Sequence, residues 1–267
     1  MASIGLFPFG EPVHNIIQID RAPKRVFILG VYASAVHAQW IGENQKTIVT
    51  ALAVASEPYI FWRGENAESI IRKISIPQFL GSLVPAQGQF NGPSGVALDD
   101  LILKPLALTR SDAWLCDLVP HSCMNSSQNE AIKRAYLPVA QEYDLPLPTV
   151  PPVPKVLAND ERREAILSEI HESKANVLIL LGDQPIQWFL SHYDPRWRRL
   201  KDFGGNNLSY GRLHFAKIYG QTFRILPLAH PRQIAKLGQS SHFWHQEHST
   251  WIEHTASEVS ESIKTGL

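Results

Sequence analysis

The sequence predicts an α/β protein built on a short parallel sheet. Three observations predict it. First, wholly apolar runs recur at wide spacing: residues 26–30 (VFILG), 113–119 (AWLCDLV) and 177–182 (VLILLG). A strand covered on both faces reads as such a run. Second, two of these runs end in glycine, at Gly30 and Gly182, which allows a tight exit and a close backbone approach. Third, helical patterns fall between the runs, most clearly Asp160–Ser173 (DERREAILSEIHES). Strand–helix alternation of this kind implies helices on both faces of a parallel sheet, joined by right-handed crossovers.

Composition sets the outer limits. A chain of 267 residues can form one large α/β domain or two small ones. It carries 25 basic and 25 acidic side chains, so no general attraction to nucleic acid is implied, while a local basic patch stays open. Cys116 and Cys123 are the 2 cysteines. They exclude a four-cysteine zinc or iron–sulfur site built by this chain alone and give no sign of a disulfide framework. Residues 1–10 lack a basic segment followed by a long apolar run, so no signal peptide is expected. No apolar run approaches ~18 residues, so no membrane span is expected and the cytoplasm is the expected location.

Taken in order, residues 1–25 read as an irregular Pro- and Gly-rich lead-in. The first strand, 26–30, feeds a loop over 31–40. A second strand spans 47–55 and leads into 56–64 (SEPYIFWRG), an aromatic loop that is either core packing or a stacking platform for a ring. A short helix is expected at 65–74. Turn chemistry at 91–95 lets Ser94 cap a helix to about Leu103, with Asp99 and Asp100 on its solvated side. The third strand, 113–119, carries Asp117 near its end, and a helix follows at 128–136. The stretch 145–154 (LPLPTVPPVP) is extended. It either separates two domains or crosses the surface of one. The strands after it continue the earlier pattern, so 1–267 is read as a single domain.

The fourth strand, 177–182, precedes a helix at 185–190. Residues 196–201 (RWRRLK) form a basic cluster, either a solvated surface or a phosphate contact. Residues 211–218 and 223–228 are β-like, and 240–263 is a helix capped by Ser240 or Ser241. Trp244 and Trp251 share one face of it and pack on the sheet. His242, His245, His248 and His254 drift around that helix, and no carboxylate or cysteine completes a metal set, so it reads as a partly exposed helix with no metal. In a parallel sheet the loops at the strand carboxyl ends converge and hold the ligand. Here those loops are 32–37, 57–63, 117–125 and 230–239. The stretch Arg224-Ile225-Leu226-Pro227-Leu228-Ala229-His230-Pro231-Arg232 delivers a histidine and an arginine to that edge.

In order and spacing, these segments resemble the uracil-DNA glycosylase superfamily. Gly30 closes a strand where that family places its first motif loop. The stretches 94–100 (SGVALDD), 113–119 and 177–182 look like its helix, third and fourth strands. His230-Pro231-Arg232, followed by Phe243 and Trp251, looks like its His-Pro-Ser loop and closing helix. The resemblance covers most of 26–255. It implies a three-layer α/β/α sandwich around a short parallel sheet of order 2-1-3-4. It also implies DNA or a nucleotide as partner and hydrolysis of the N-glycosidic bond of a flipped base; the iron–sulfur branches of that family need four cysteines, so with 2 no cluster is expected here, nor any other cofactor.

The departures are as informative. The first motif loop carries no carboxylate or amide, and Tyr32 stands where the best-known branch has Asp; a phenol with a pKa near ~10 is a poor base. Asp117 stands where the family reads the base with Asn, and an ionised Asp can only accept. Arg232 replaces the third-motif Ser. His230 is retained, to stabilise charge on the leaving base. The expected catalytic set is therefore His230 with Glu57 or Asp117. Tyr32, Phe61, Trp62 and Asp117 would meet the base. Arg232, Lys236, Ser34 and His37 would meet DNA, and Leu237 lies where the family's wedge loop falls. Two other classes fit the same residues: a non-catalytic nucleotide- or damaged-DNA-binding module, and a hydrolase of another small substrate with His37 or His230 as base.

Overall fold

The computed structural model describes residues 4–203, 210–237 and 240–265. Its strands, in chain order, are β1 (Gly5–Leu6), β2 (Pro12–Val13), β3 (Val26–Tyr32), β4 (Ala35–Ile41), β5 (Thr47–Ser56), β6 (Ser82–Pro85), β7 (Ala113–Val119), β8 (Val177–Leu181), β9 (His214–Ile218) and β10 (Gln221–Leu228). The chain divides into two compact units. One comprises Met1–Ile16, Tyr32–Pro93 and Pro120–Lys155; the other comprises Ile17–Val31, Ser94–Val119 and Val156–Leu267.

The second unit is a mostly parallel five-stranded sheet flanked by helices, in the order β7-β3-β8-β10-β9. β3 and β8 pair in parallel, as do β8 and β10, while β9 returns antiparallel at the edge. The Arg25 N–H donates to the Asp112 carbonyl, so β3 and β7 start side by side and run in one direction. β8 (VLILL) is buried at every position, which explains its unbroken apolar sequence. Burying each of its side chains contributes about 1.5–3 kcal/mol. Asp160–Ser173 forms the expected helix, capped by Asn159, whose side chain accepts from the Arg162 N–H.

The first unit holds a three-stranded antiparallel sheet, order β5-β4-β6, over a core that includes Trp40, Trp62, Leu52 and Tyr136. Three expectations change here. The run 47–55 is a strand, but it pairs with β4 in this antiparallel sheet and not beside residues 26–30 in the parallel one. The chain does not leave its first long strand at Gly30: β3 continues to Tyr32, and β4 starts at Ala35, so the expected loop 31–40 shrinks to Ala33 and Ser34. The lead-in is not wholly irregular, because β1 and β2 pair with each other.

Helix ends differ as well. The short helix spans Ala67–Ile71, and the one after β7 starts at Ser126, capped by Asn125. The carboxyl-terminal segment forms two helices, Ser241–His254 and Ala256–Thr265. Ser240 adopts a left-handed conformation and makes no side-chain cap bond. The part of the expected loop at 238–239 lies outside the described residues. No helix among the described residues is long and apolar enough to cross a membrane.

Candidate functional site

β10 ends at Leu228, and Pro231 opens a short helix, Pro231–Ile234. Proline suits a first helical position because its missing N–H would be unpaired there anyway. His230 is the cap. Its Nδ1 accepts from the Arg232 N–H at 3.2 Å, and its own N–H donates to Gln233 Oε1 at 3.3 Å. A nitrogen that accepts a hydrogen bond carries no proton, so the neutral ring holds its proton on Nε2. Burial pushes the imidazole down to about 4, and the Arg232 guanidinium pushes the same way. His230 is thus uncharged at neutral pH and presents an Nε2–H donor.

Gly182 makes room for it. The residue ends β8 at φ +88°, a conformation that glycine alone adopts without strain. Its N–H donates to the Leu228 carbonyl at 2.7 Å, and a Cβ there would stand 3.4 Å from that of His230.

Asp117 lies near the end of β7 and is 4% exposed. Trp114 and Cys116 both meet Glu169 on the helix Asp160–Ser173, at 2.9 and 3.6 Å. Strand side chains alternate, so Asp117 points to the opposite face of the sheet. Arg162 clamps the strand end from that helix: Nη2 donates to the Asp117 carbonyl at 2.6 Å and Nε to that of Leu118 at 3.1 Å. Burial raises the Asp117 carboxyl to about 7, although the Arg162 guanidinium lowers it. Asp117 at neutral pH is therefore partly a carboxylic acid, able to donate as well as accept. This corrects the reading of Asp117 as an acceptor alone.

Beyond His230 the chain is braced. The Leu237 N–H donates to the Arg232 carbonyl at 2.8 Å, and Arg232 Nη2 returns to the Leu237 carbonyl at 3.4 Å. Arg232 and Lys236 are exposed, and Leu237 is 36% exposed, so this brace presents two cations and one apolar side chain to solvent.

The chain matches no protein-family model and no curated protein. The chemistry of the site therefore rests on its own residues.

The remaining expected site residues belong to the other unit. Glu57 is buried, and its Oε1 accepts from the Ser34 N–H at 3.0 Å. The Ser122 hydroxyl donates to the Ser34 carbonyl. Glu57 and Ser34 thus build the turn between β3 and β4. His37 lies on β4, where its N–H donates to Asn91 Oδ1 at 2.8 Å and its carbonyl accepts from Asn91 Nδ2 at 2.9 Å. Trp62 is buried, with Nε1–H donating to the Glu65 carbonyl, and Phe61 is buried beside it in sequence, so neither ring presents a face in this conformation. Tyr32 is 40% exposed.

Two of the four cations in the basic cluster are paired locally. Arg196 pairs with Asp194, and Arg199 with Asp202, while Trp197 stacks on Phe203. Trp251 is buried, and its Nε1–H donates to the Gly211 carbonyl at 2.8 Å. Asp99 carries more than a solvated charge, because Arg110 Nε donates to it at 2.8 Å.

Sequence reasoning missed Arg162, Tyr210 and His248. Arg162 follows its cap by three residues, but nothing in the sequence shows that it reaches back to carbonyls of β7. His248 belongs to a histidine row whose spacing suggests partial exposure, yet it is 1% exposed and bonded at both nitrogens.

Proposed function

We propose that the carboxyl edge of the parallel sheet binds a nucleobase and that the protein hydrolyses the N-glycosidic bond of a damaged or deaminated base in DNA. The observation that carries this reading is the hydrogen bond from the Arg232 N–H to His230 Nδ1, which leaves the ring proton of a neutral imidazole on Nε2 as a donor. In such a reaction the C1′–N bond breaks and its electron pair leaves with the base. Water then supplies the oxygen at C1′ and gives up a proton, which ends on the departed base anion. A neutral donor aimed at the base oxygen becomes a stronger partner as charge builds there, which is the differential binding that lowers a barrier.

Asp117 supports the same reading from the other side. The sheet order is β7-β3-β8-β10-β9, so β3 and β8 lie between β7 and β10. The row places Asp117 three strand spacings from the end of β10, about 14 Å along the sheet. A carboxylic acid at Asp117 offers one donor and one acceptor, which complements the lactam edge of uracil or hypoxanthine. Arg232 and Lys236 would hold phosphates, and Leu237 would fill the space left by a flipped base.

The test is release of free base from oligonucleotides containing uracil or hypoxanthine. Release is expected from the intact protein and its collapse in His230→Ala; release undiminished in that variant would remove His230 from the chemistry. A second reading, a binding module without cleavage, is favoured by one observation: the loop after β3 holds no acid, and Glu57 is committed to the Ser34 amide. DNA binding at low salt with no release across the panel would select it.

A further inference from the structure

We propose that Tyr210 and His248 form a positioning relay that fixes the Ala229–His230 peptide, and with it the imidazole of His230; the proposal rests on reading His230 as the donor of the site. Four groups from distant parts of the chain line up. The Ala229 N–H donates to Tyr210 Oη at 2.9 Å. Tyr210 Oη lies 2.9 Å from His248 Nδ1. His248 Nε2 lies 2.7 Å from the Leu101 carbonyl.

Only one proton arrangement satisfies them all. A carbonyl can only accept, so His248 Nε2 carries the proton. The Nδ1 of a neutral ring then accepts, and the single tyrosine proton points to it. That leaves an oxygen lone pair for the Ala229 amide. Ala229, Tyr210 and His248 are all buried, so a broken link would leave a polar group without water.

Location turns this chain of bonds into a positioning device. The pairing of β10 with β8 ends at Leu228 opposite Leu181, so the Ala229 amide lies beyond the ladder. Tyr210 takes over where the sheet stops, one residue before His230. The same helix grips the far side of the cap, because His245 Nδ1 donates to the Ile234 carbonyl at 2.7 Å. The helix Ser241–His254 thus holds Pro231–Ile234 at both ends. The charged or titratable groups around the relay are His245 and Glu247 on that helix and Arg232 on the short one. Burial keeps His248 neutral, with its pKa near 4, so the relay persists through neutral pH.

The experiment is nitrogen-15 NMR of the histidine rings in the full chain, with single-stranded DNA containing uracil or hypoxanthine as a separate activity probe. In the unmodified protein His248 is expected as the Nε2–H tautomer, uncharged from pH 6 to 8; an Nδ1–H tautomer or an imidazolium at pH 7 would overturn the relay without any variant. Tyr210→Phe and His248→Leu should raise the titration midpoint of His230 by about half a unit or more as its ring gains water. His248→Gln keeps a donor and an acceptor and should hold that midpoint within about 0.2 unit. A purely structural role would lower the melting temperature of the first two variants and leave His230 titrating where it was, which contradicts the proposal. Should those two not fold, the tautomer and His248→Gln decide. Midpoints that shift as expected in a protein that releases neither uracil nor hypoxanthine would leave the relay standing and remove the glycosylase reading.

Discussion

His230 and Asp117 stand at the carboxyl ends of β10 and β7, with two parallel strands between them. One is a base and the other an acid, yet burial does the same thing to both. It pulls the imidazole down to about 4 and lifts the carboxyl to about 7, so each favours its uncharged form. Each has an arginine nearby that lowers its pKa, and Asp117 also has Glu169, which raises it. Arg232 therefore reinforces burial at His230, whereas Arg162 opposes it at Asp117. The histidine is consequently neutral well below pH 7, while the acid is balanced near it. A site that reads an uncharged lactam edge needs the first property throughout and the second only while Asp117 keeps its proton.

The comparison can be broken most severely at His230. His230→Ala should reduce base release by about 10²- to 10³-fold, the usual loss for one donor to a developing anion. Next comes Asp117→Asn. The folded-state pKa of Asp117 lies above its unfolded value, so the folded chain binds more protons between about pH 4 and 7. That contribution is present below pH 4 and lost as pH rises through 7. Asparagine removes the loss, so this variant should be more stable than the parent at pH 8, by up to about 4 kcal/mol, and gain little below pH 4.

The histidines run the other way. His230 and His248 have depressed folded-state values, so their contribution is present above pH 6.5 and lost as pH falls through 4. In the parent the acid offsets part of this loss. In Asp117→Asn it does not, and melting temperature against pH should drop more steeply below 6.5. Gly182→Ala comes next: it forces a side chain into φ +88° against His230 and should cost about 1–3 kcal/mol by denaturant unfolding. The smallest effect belongs to Arg232→Gln. The guanidinium is the lesser of two causes, so NMR should show the His230 midpoint rising by less than a unit.

The parallel strands were legible because burial on both faces leaves an unambiguous apolar run, as in β7 and β8. Asp160–Ser173 was legible from its amphipathic pattern. The run 47–55 was not, because apolar content marks a strand without naming its partner; it pairs with β4. Gly30 misled because a glycine inside a strand and a glycine ending one read alike. At the site, His230 was legible from its place after an apolar run and before proline. Its tautomer was not, since that depends on the Arg232 amide two residues on. Asp117 was found, but its protonation was not, because burial by distant segments has no local signature. Glu57 was chosen for its position after a strand, and the Ser34 amide that occupies it comes from another part of the chain.

The central claim is that His230 is a neutral Nε2–H donor at a nucleobase site. The most direct measurement is the nitrogen-15 and proton spectrum of its ring, titrated from pH 4 to 8 with and without uracil. The account predicts a midpoint near 4, the Nε2–H tautomer throughout the neutral range, and a shift of the Nε2 proton when uracil is added. A midpoint near the ordinary histidine value of about 6.5, or a proton on Nδ1, would contradict it.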